Sequence, residues 1–288
     1  MIRVALITAE VARHLDQDLP LLAAALGEIG LDPSIVAWDD PRVDWASFAI
    51  AVVRSPWDYC DRRDEFLAFA DRVSREVPLA NPAPVLRWNT DKHYLRELAA
   101  AGVPVTPTRF VEPGEPPDLG FDGEVVVKPA ISAGAKDTQR YAPAAHDAAR
   151  AHVAALTRAG RTAMVQPYLA RVDTQGETAL LHFDGAFSHA IRKGPILRPD
   201  RVLVEGLYIA EDLEPRTPTA ADHAVAERAI ACVPADAPLL YARVDLVPGP
   251  DGEPLLLELE IAEPSVFLAY DDGAAQRMAE AIARRARP

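Results

Sequence analysis

The stretch Leu255 to Ala262 (LLLELEIA) constrains the fold more than any other part of the chain. Side chains along a strand alternate between its two faces. Leu255, Leu257, Leu259 and Ile261 are therefore expected on one face, and Leu256, Glu258, Glu260 and Ala262 on the other. The first face reads as core, and the second sets two carboxylates side by side. The upstream segment YARVDLV pairs naturally with it, because Asp251-Gly252 between alternating runs is a strong hairpin signal. Closing the hairpin there puts Asp245 opposite Glu258 and Arg243 opposite Glu260, all on one side of the sheet. Pro248, Pro250 and Pro254 could shift that register.

Three carboxylates on one patch repel one another and are costly to bury without a cation. A plain reading is a solvated strand face with Arg243 as counter-ion. A second reading is a divalent-metal site, since Mg²⁺ takes one or two carboxylates together with phosphate oxygens and water. Two such ions bridging nucleotide phosphates would satisfy Asp245, Glu258 and Glu260 together. The hairpin geometry and the lysines upstream favour the second reading.

The rest of the chain suggests three units: 1–86, 87–165 and 166–288. The first alternates strand and helix patterns, with strands over Arg3–Thr8, Ser34–Trp38 and Phe48–Val53 and helices over Leu19–Ile29 and Asp64–Val73. That alternation predicts a parallel, doubly wound sheet. The second begins with a helix over Asp91–Ala101, capped by Thr90, and continues with strands over Glu124–Lys128 and Ala163–Gln166 around a helix over Ala145–Arg158. The third is antiparallel in character, and a helix over Ala274–Arg285 ends it. The fold class expected is α/β (α+β).

Lys128 ends an apolar strand and precedes the small-residue loop Ile131 to Lys136. A lysine there can reach phosphate oxygens while N–H groups around Ser132 and Gly134 cradle them. Taken alone, Lys128 and Lys92 read more readily as surface lysines. Neither a Walker A sequence nor a dinucleotide-binding glycine fingerprint is present, and the first βα turn contains no glycine. A second hairpin is expected to close on Asp184-Gly185. It would place Glu177 opposite Arg192, with His189 and Lys193 on the other face. The loop Ser55 to Tyr59 follows an inner strand, where ligands of open α/β sheets bind. Ser55, Trp57 and Tyr59 are thus candidate substrate residues together with Arg192, Lys193 and Ser265, although the aromatics could serve packing alone.

Composition narrows the function. A net charge of −13 disfavours binding to a polyanion such as nucleic acid. No apolar run reaches the ~18 residues of a membrane span, and the start of the chain reads as a strand and not a signal peptide. Cys60 and Cys232 are the only cysteines and form no pair motif, so a reducing cytoplasm is the expected location.

The order of these features resembles the ATP-grasp superfamily. It runs Asp91-Lys92, Val126-Val127-Lys128-Pro129, the small-residue loop, Gln166-Pro167-Tyr168-Leu169, Gly176-Glu177, Arg243-Val244-Asp245 and Glu258-Leu259-Glu260. The resemblance implies an ATP-grasp fold: a parallel-sheet amino-terminal domain, a central lid and an antiparallel carboxyl-terminal domain. It implies that Lys92 and Lys128 hold ATP phosphates and that Gln166, Pro167, Tyr168 and Leu169 form the adenine hinge. Glu177 becomes a nucleotide-side acid, Arg243 the arginine that steadies an acyl-phosphate, and Asp245, Glu258 and Glu260 the Mg²⁺ ligands. Many members carry Asn where this chain has Glu260. Within the superfamily the chain is most similar to ligases of D-cycloserine biosynthesis, through DKHYLRELAAAGVP, GETALLHFDGAFSHAIRKG, APLLYARVDL and Arg54-Ser55-Pro56-Trp57. That resemblance implies ATP-driven closure of O-ureido-D-serine into a ring, with Arg243, Lys193 and Arg192 as catalytic candidates. It also implies a small amino-acid-like substrate, and homodimers are common among such folds. A ligase joining two amino acids and a non-catalytic nucleotide-binding protein remain alternatives.

Overall fold

The computed structural model describes residues 1–197 and 212–287. Its elements fall into three sheets. The first holds β1 (Ile2–Thr8), β2 (Leu31–Ala37), β3 (Ile50–Ser55) and the short β4 (Leu79–Ala80), all parallel, in the order β2-β1-β3-β4. Helix α1 (Asp18–Glu28) covers one face and α2 (Arg63–Val73) the other. Both faces are covered, so β3 is buried along its whole length, as its unbroken apolar run predicts. The α2 side is an aromatic cluster in which Trp38 meets Phe66 and Phe69 edge-on, at 5.8 and 5.7 Å between centroids.

Two short helices follow, α3 (Ala83–Asn89) and α4 (Tyr94–Ala100). The sequence predicts one helix capped by Thr90; instead Thr90 ends α3, and its hydroxyl accepts from Arg63 Nε. The break matters, because it leaves Lys92 in the joint between the helices. Both helices are fastened to the third sheet: Asn89 exchanges hydrogen bonds with Leu259 and Ile261, and Tyr94 with Leu259.

The second sheet is antiparallel, in the order β5-β8-β6-β7, from β5 (Arg109–Val111), β6 (Val125–Pro129), β7 (Gln139–Tyr141) and β8 (Ala163–Pro167), with α5 (His146–Arg158) on its outer face. Because β8 contains Gln166 and Pro167, a division at 165/166 runs through a strand of this sheet. A single turn, α6 (Val172–Gln175), leads into the third sheet.

The third sheet, order β11-β10-β9-β12-β13, comprises β9 (Glu177–Phe183), β10 (Ala186–Lys193), β11 (Leu213–Pro215), β12 (Tyr241–Pro248) and β13 (Pro254–Glu260). Helix α7 (Ala220–Ala231) lies against it, opened by a capping box between Thr219 and Asp222. The final helix α8 (Ala274–Ala286) packs against α1 and the first sheet.

Both predicted hairpins form, and each carries a bulge. In β12–β13 the register is Arg243 opposite Glu260 and Asp245 opposite Glu258, as the alternation predicts. Past Asp245 the pairing jumps to Leu246 opposite Leu256, so Leu257 is the extra residue. This reverses part of the expected facing. Leu256 joins the core with Leu259 and Ile261, whereas Leu257 faces the cleft. In β9–β10 the pairing skips Ser188. Glu177 therefore lies opposite Lys193 and not Arg192, which pairs with Thr178. One extra residue flips every side chain beyond it relative to its partner strand.

Candidate active site

The bulges bring charge to one place. Beyond them, β9 and β10 present Glu177 and Lys193, β12 presents Arg243 and Asp245, and β13 presents Glu258 and Glu260. All six line a cleft between the second and third sheets. Lys128, from β6, faces them across it, and Lys92 lies at its edge. A solvated strand face does not describe this patch, because Asp245 is only 2% exposed.

Asp245 is the centre of the network. It accepts from Lys193 Nζ at 2.8 Å and from Arg243 Nε and Nη2 at 3.0 Å each. Burial favours its protonated form, but Arg243 and Lys193 outweigh that and hold the carboxyl below its usual range. Lys193 also contacts Glu177 at 3.0 Å, and Arg243 bonds Glu260 and the Ser265 carbonyl. Lys92 sits 3.0 Å from Glu258 and donates to the Ser132 carbonyl at 2.9 Å. Burial opposes its charge, yet Glu258 more than compensates and lifts its ammonium above the ordinary lysine range. Glu258 is correspondingly held low against burial, by Lys92 and Lys128. Glu260 behaves oppositely. Burial beside Glu258 and Asp245 outweighs Arg243 and pushes it up to about 8.

Lys128 differs from the other cations. It is 8% exposed, and no carboxylate of the described residues lies within ion-pairing distance of it. Burial lowers its affinity for its proton. The cleft thus contains a buried ammonium in need of an anion, which phosphate oxygens would satisfy.

The expected nucleotide segment is brought into the same cleft. Gln166, Pro167, Tyr168 and Leu169 all line it, as do Ser132 and Gly134. The hinge is stiffened from behind: Gln166 Nε2 donates to Thr108 Oγ1 at 2.8 Å, and the Arg140 guanidinium lies 3.4 Å from the centre of the Tyr168 ring. Gly134 takes a φ of +61°, and Ala135 and Asp137 also adopt positive φ, so the loop after β6 turns through left-handed conformations. Lys136 anchors that loop to the first unit through Asp61, at 2.6 Å.

The substrate candidates divide. Trp57 and Ser265 line the cleft. Tyr59 lies just behind it, fully packed, with its hydroxyl directed at Glu263. Ser55 does not reach the cleft: it is buried at the end of β3, 2.8 Å from the Thr8 hydroxyl. Arg192 is turned to the other face of β10 by the Ser188 bulge, where it pairs with Asp212 at 3.4 Å and Glu214 at 3.9 Å. Arg192→Ala is therefore expected to leave turnover at the wild-type level and to change stability by no more than about 0.5 kcal/mol, the usual range for a surface substitution; steady-state kinetics and thermal melting would check this. Glu263 was not singled out in the sequence, although it lines the cleft. It lies past the end of β13, where alternation no longer indicates a facing.

No three His, Cys, Asp or Glu side chains among the described residues form a ready metal cage. The donor set nevertheless suits Mg²⁺, which needs only one or two carboxylates when phosphate and water complete its shell. Asp245 and Glu258 stand directly opposite one another, and Glu260 is the next cleft-facing position.

Residues 4–81 match the family described as D-cycloserine synthetase DcsG, N-terminal domain. Across 99% of this chain and 99% of its own length, the cycloserine biosynthesis protein DcsG of Streptomyces lavendulae is 42% identical. A crystal structure of D-cycloserine synthetase DcsG superposes with a TM-score of 0.92 at 40% identity, covering 99% of this chain and 100% of that one. At the level of fold alone, the D-alanine–D-alanine ligase of Bacillus anthracis matches with a TM-score of 0.67 at 13% identity, over 99% and 97% of the two chains. The ATP-grasp ligase PsnB, solved with Mg and ADP, matches at 0.64 and 17%, over 99% and 98%. The chain is a member of the DcsG family, with the fold of the ATP-grasp ligases.

Proposed function

We propose that this protein is an ATP-dependent carbon–nitrogen ligase that closes O-ureido-D-serine into D-cycloserine. The observation that carries the proposal is the similarity to DcsG along the full length of both chains, with the charged cleft inside the matched region. Lys92 and Lys128 would hold ATP phosphates, and Gln166 to Leu169 the adenine. Asp245, Glu258 and Glu260 would hold two Mg²⁺ ions, which supply charge neutralisation for the transferring phosphoryl group.

The chain's own residues then have definite tasks. Arg243 is held rigidly by Asp245, Glu260 and the Ser265 carbonyl, so its guanidinium needs no reorganisation when charge develops on an acyl-phosphate or a tetrahedral oxyanion. Lys193, fixed between Glu177 and Asp245, keeps that group in place. The loop after β6 lies over the cleft and would exclude water from the activated carboxyl. A nucleophilic nitrogen within the same molecule needs only the correct fold of the substrate, and such proximity removes much of the entropic barrier. Among the described residues no helix is long and apolar enough to cross a membrane.

The test is ADP release with Mg²⁺-ATP and O-ureido-D-serine as the only carboxylate. ADP together with a cyclised product is the expected result. Turnover that begins only when pairs of amino acids are supplied would assign the protein to the amino-acid ligases. ATP binding without turnover on any carboxylate would make it a non-catalytic nucleotide-binding protein.

Glu260 adds a pH dependence. Its carboxyl sits at about 8 in the free protein, above the ordinary glutamate value, so the folded state binds this proton more tightly than the unfolded chain does. Its contribution to stability is present below the ordinary glutamate value and is lost as pH rises through about 8. A metal ligand must be deprotonated. Mg²⁺-nucleotide binding is thus expected to tighten as pH rises from about 6 to about 8 and to release protons at neutral pH. Calorimetry in buffers of different ionisation enthalpy measures this directly, and binding heats that are independent of buffer would show that Glu260 is not a ligand.

A further inference from the structure

Among the described residues, one carboxylate of the cleft has no cation within ion-pairing distance. Asp245 is paired with Lys193 and Arg243, Glu177 with Lys193, Glu258 with Lys92, and Glu260 with Arg243. Glu263 lines the same cleft, yet among the described residues no Lys, Arg or His nitrogen comes within 4.0 Å of it. Its side-chain neighbour is the Tyr59 hydroxyl, a neutral group.

Its backbone is held firmly. Trp57 Nε1 donates to the Glu263 carbonyl at 3.1 Å, and Arg54 Nη2 to the Pro264 carbonyl at 2.7 Å. Asp18 accepts from the amides of Val266, Phe267 and Leu268 at 2.7, 3.1 and 2.7 Å. Arg54 and Trp57 lie at the carboxyl end of β3, the edge of a parallel sheet where ligands bind. The first unit therefore fixes the place where this carboxylate meets the cleft. Two residues on, Ser265 also lines the cleft, and its carbonyl accepts from Arg243 Nη1 at 3.0 Å. One region thus offers a guanidinium and an unpaired carboxylate together.

We propose that Glu263 recognises the α-ammonium group of the substrate and makes the enzyme selective for amino acids over carboxylates that lack the amino group. The proposal rests on the ligase reading above and names the class of substrate that its cleft accepts. A zwitterion fits the two charges, with its carboxyl end directed to Arg243 and its ammonium to Glu263. In the free protein, burial outweighs the Tyr59 hydroxyl and the more distant charges of Lys92 and Arg243, and pushes Glu263 up to about 7. An ammonium placed beside it restores the charged form and forms a charge-assisted hydrogen bond.

The test compares O-ureido-D-serine with 3-(ureidooxy)propanoate, the same molecule without its amino group, in wild type and in Glu263→Gln. Wild type is expected to prefer the amino acid at least about tenfold in kcat/KM, the scale of one charge-assisted hydrogen bond. In Glu263→Gln that preference should shrink to within about twofold, chiefly through a higher KM for the amino acid. A wild type that turns over both compounds equally overturns the proposal without recourse to a variant. A Glu263→Gln enzyme that loses activity on both compounds in equal measure, or that changes its Mg²⁺ requirement and keeps its preference, also overturns it. If wild type releases ADP with neither compound, the ring-closing reading itself has failed, which is a different result from equal turnover.

Discussion

Replacing Asp245 by Asn is expected to lower ADP release by about a hundredfold to a thousandfold, while the protein still folds. Asn preserves the size of the side chain and removes its charge. Asp245 accepts three hydrogen bonds from two cations, and it is almost fully buried. Each charge-assisted bond of this kind contributes about 1.5–3 kcal/mol. The loss to stability is smaller than their sum, because neither cation is abandoned. Lys193 retains Glu177, and Arg243 retains Glu260 and the Ser265 carbonyl. What disappears is the bidentate fork that fixes the plane of the Arg243 guanidinium. Removing one preoriented donor from a developing oxyanion typically costs two to three orders of magnitude in kcat, and a lost metal ligand would add to that. Circular dichroism and nucleotide binding would report the fold, and single-turnover kinetics the chemical step. Activity within about tenfold of wild type would mean that Arg243 is not the group that stabilises the reacting carboxyl.

This network was partly legible in the sequence, and the reasons differ from residue to residue. Alternation along LLLELEIA and a hairpin closed by Asp251-Gly252 suffice to set Asp245 opposite Glu258 and Arg243 opposite Glu260. Those are local rules, and the pairs lie between the turn and the strand ends with only one irregularity. That irregularity is also where alternation failed. A bulge depends on tertiary twist and packing, which a pattern of two cannot express. At Leu257 it exchanged one core leucine for another. At Ser188 the same kind of event had chemical consequences, because it chose Lys193 over Arg192 as the cation facing Glu177. Ser55 was misjudged for another reason: the end of a parallel strand marks where ligands bind, but not which of its last side chains points outward. Glu263 was missed because its position is set by contacts from Trp57 and Arg54, some two hundred residues away in sequence. Helix α7 was not singled out either, although Thr219 followed three residues later by Asp222 forms a capping box at its start.

Lys128→Met separates stability from function with opposite signs. In the free protein Lys128 carries a charge in a nearly closed site with no carboxylate of the described residues in ion-pairing range. Its folded pKa is depressed by burial, so the folded state binds that proton less tightly than the unfolded chain. Charged Lys128 therefore costs stability at neutral pH, and the cost fades as pH rises through its folded pKa toward the ordinary lysine value. Methionine has nearly the same length, fills the same space and removes the charge. Free Lys128→Met is expected to be more stable than wild type by about 1 kcal/mol or more, since apolar replacement of poorly compensated buried charge is commonly stabilising. The rise in stability that wild type shows on going from neutral to alkaline pH should be reduced in the variant. With nucleotide the order reverses. Loss of a charge-assisted contact to phosphate, about 1.5–3 kcal/mol, raises the KM for ATP by roughly ten- to a hundredfold. A ligand stabilises the fold according to its concentration relative to Kd, so Mg²⁺-ATP at a concentration that saturates only wild type should lift the wild-type melting temperature above that of the variant. The two melting curves are thus expected to exchange order when Mg²⁺-ATP is added. A variant less stable than wild type in both conditions would mean that Lys128 is a structural residue, and one that binds ATP as tightly as wild type would remove it from the phosphate site.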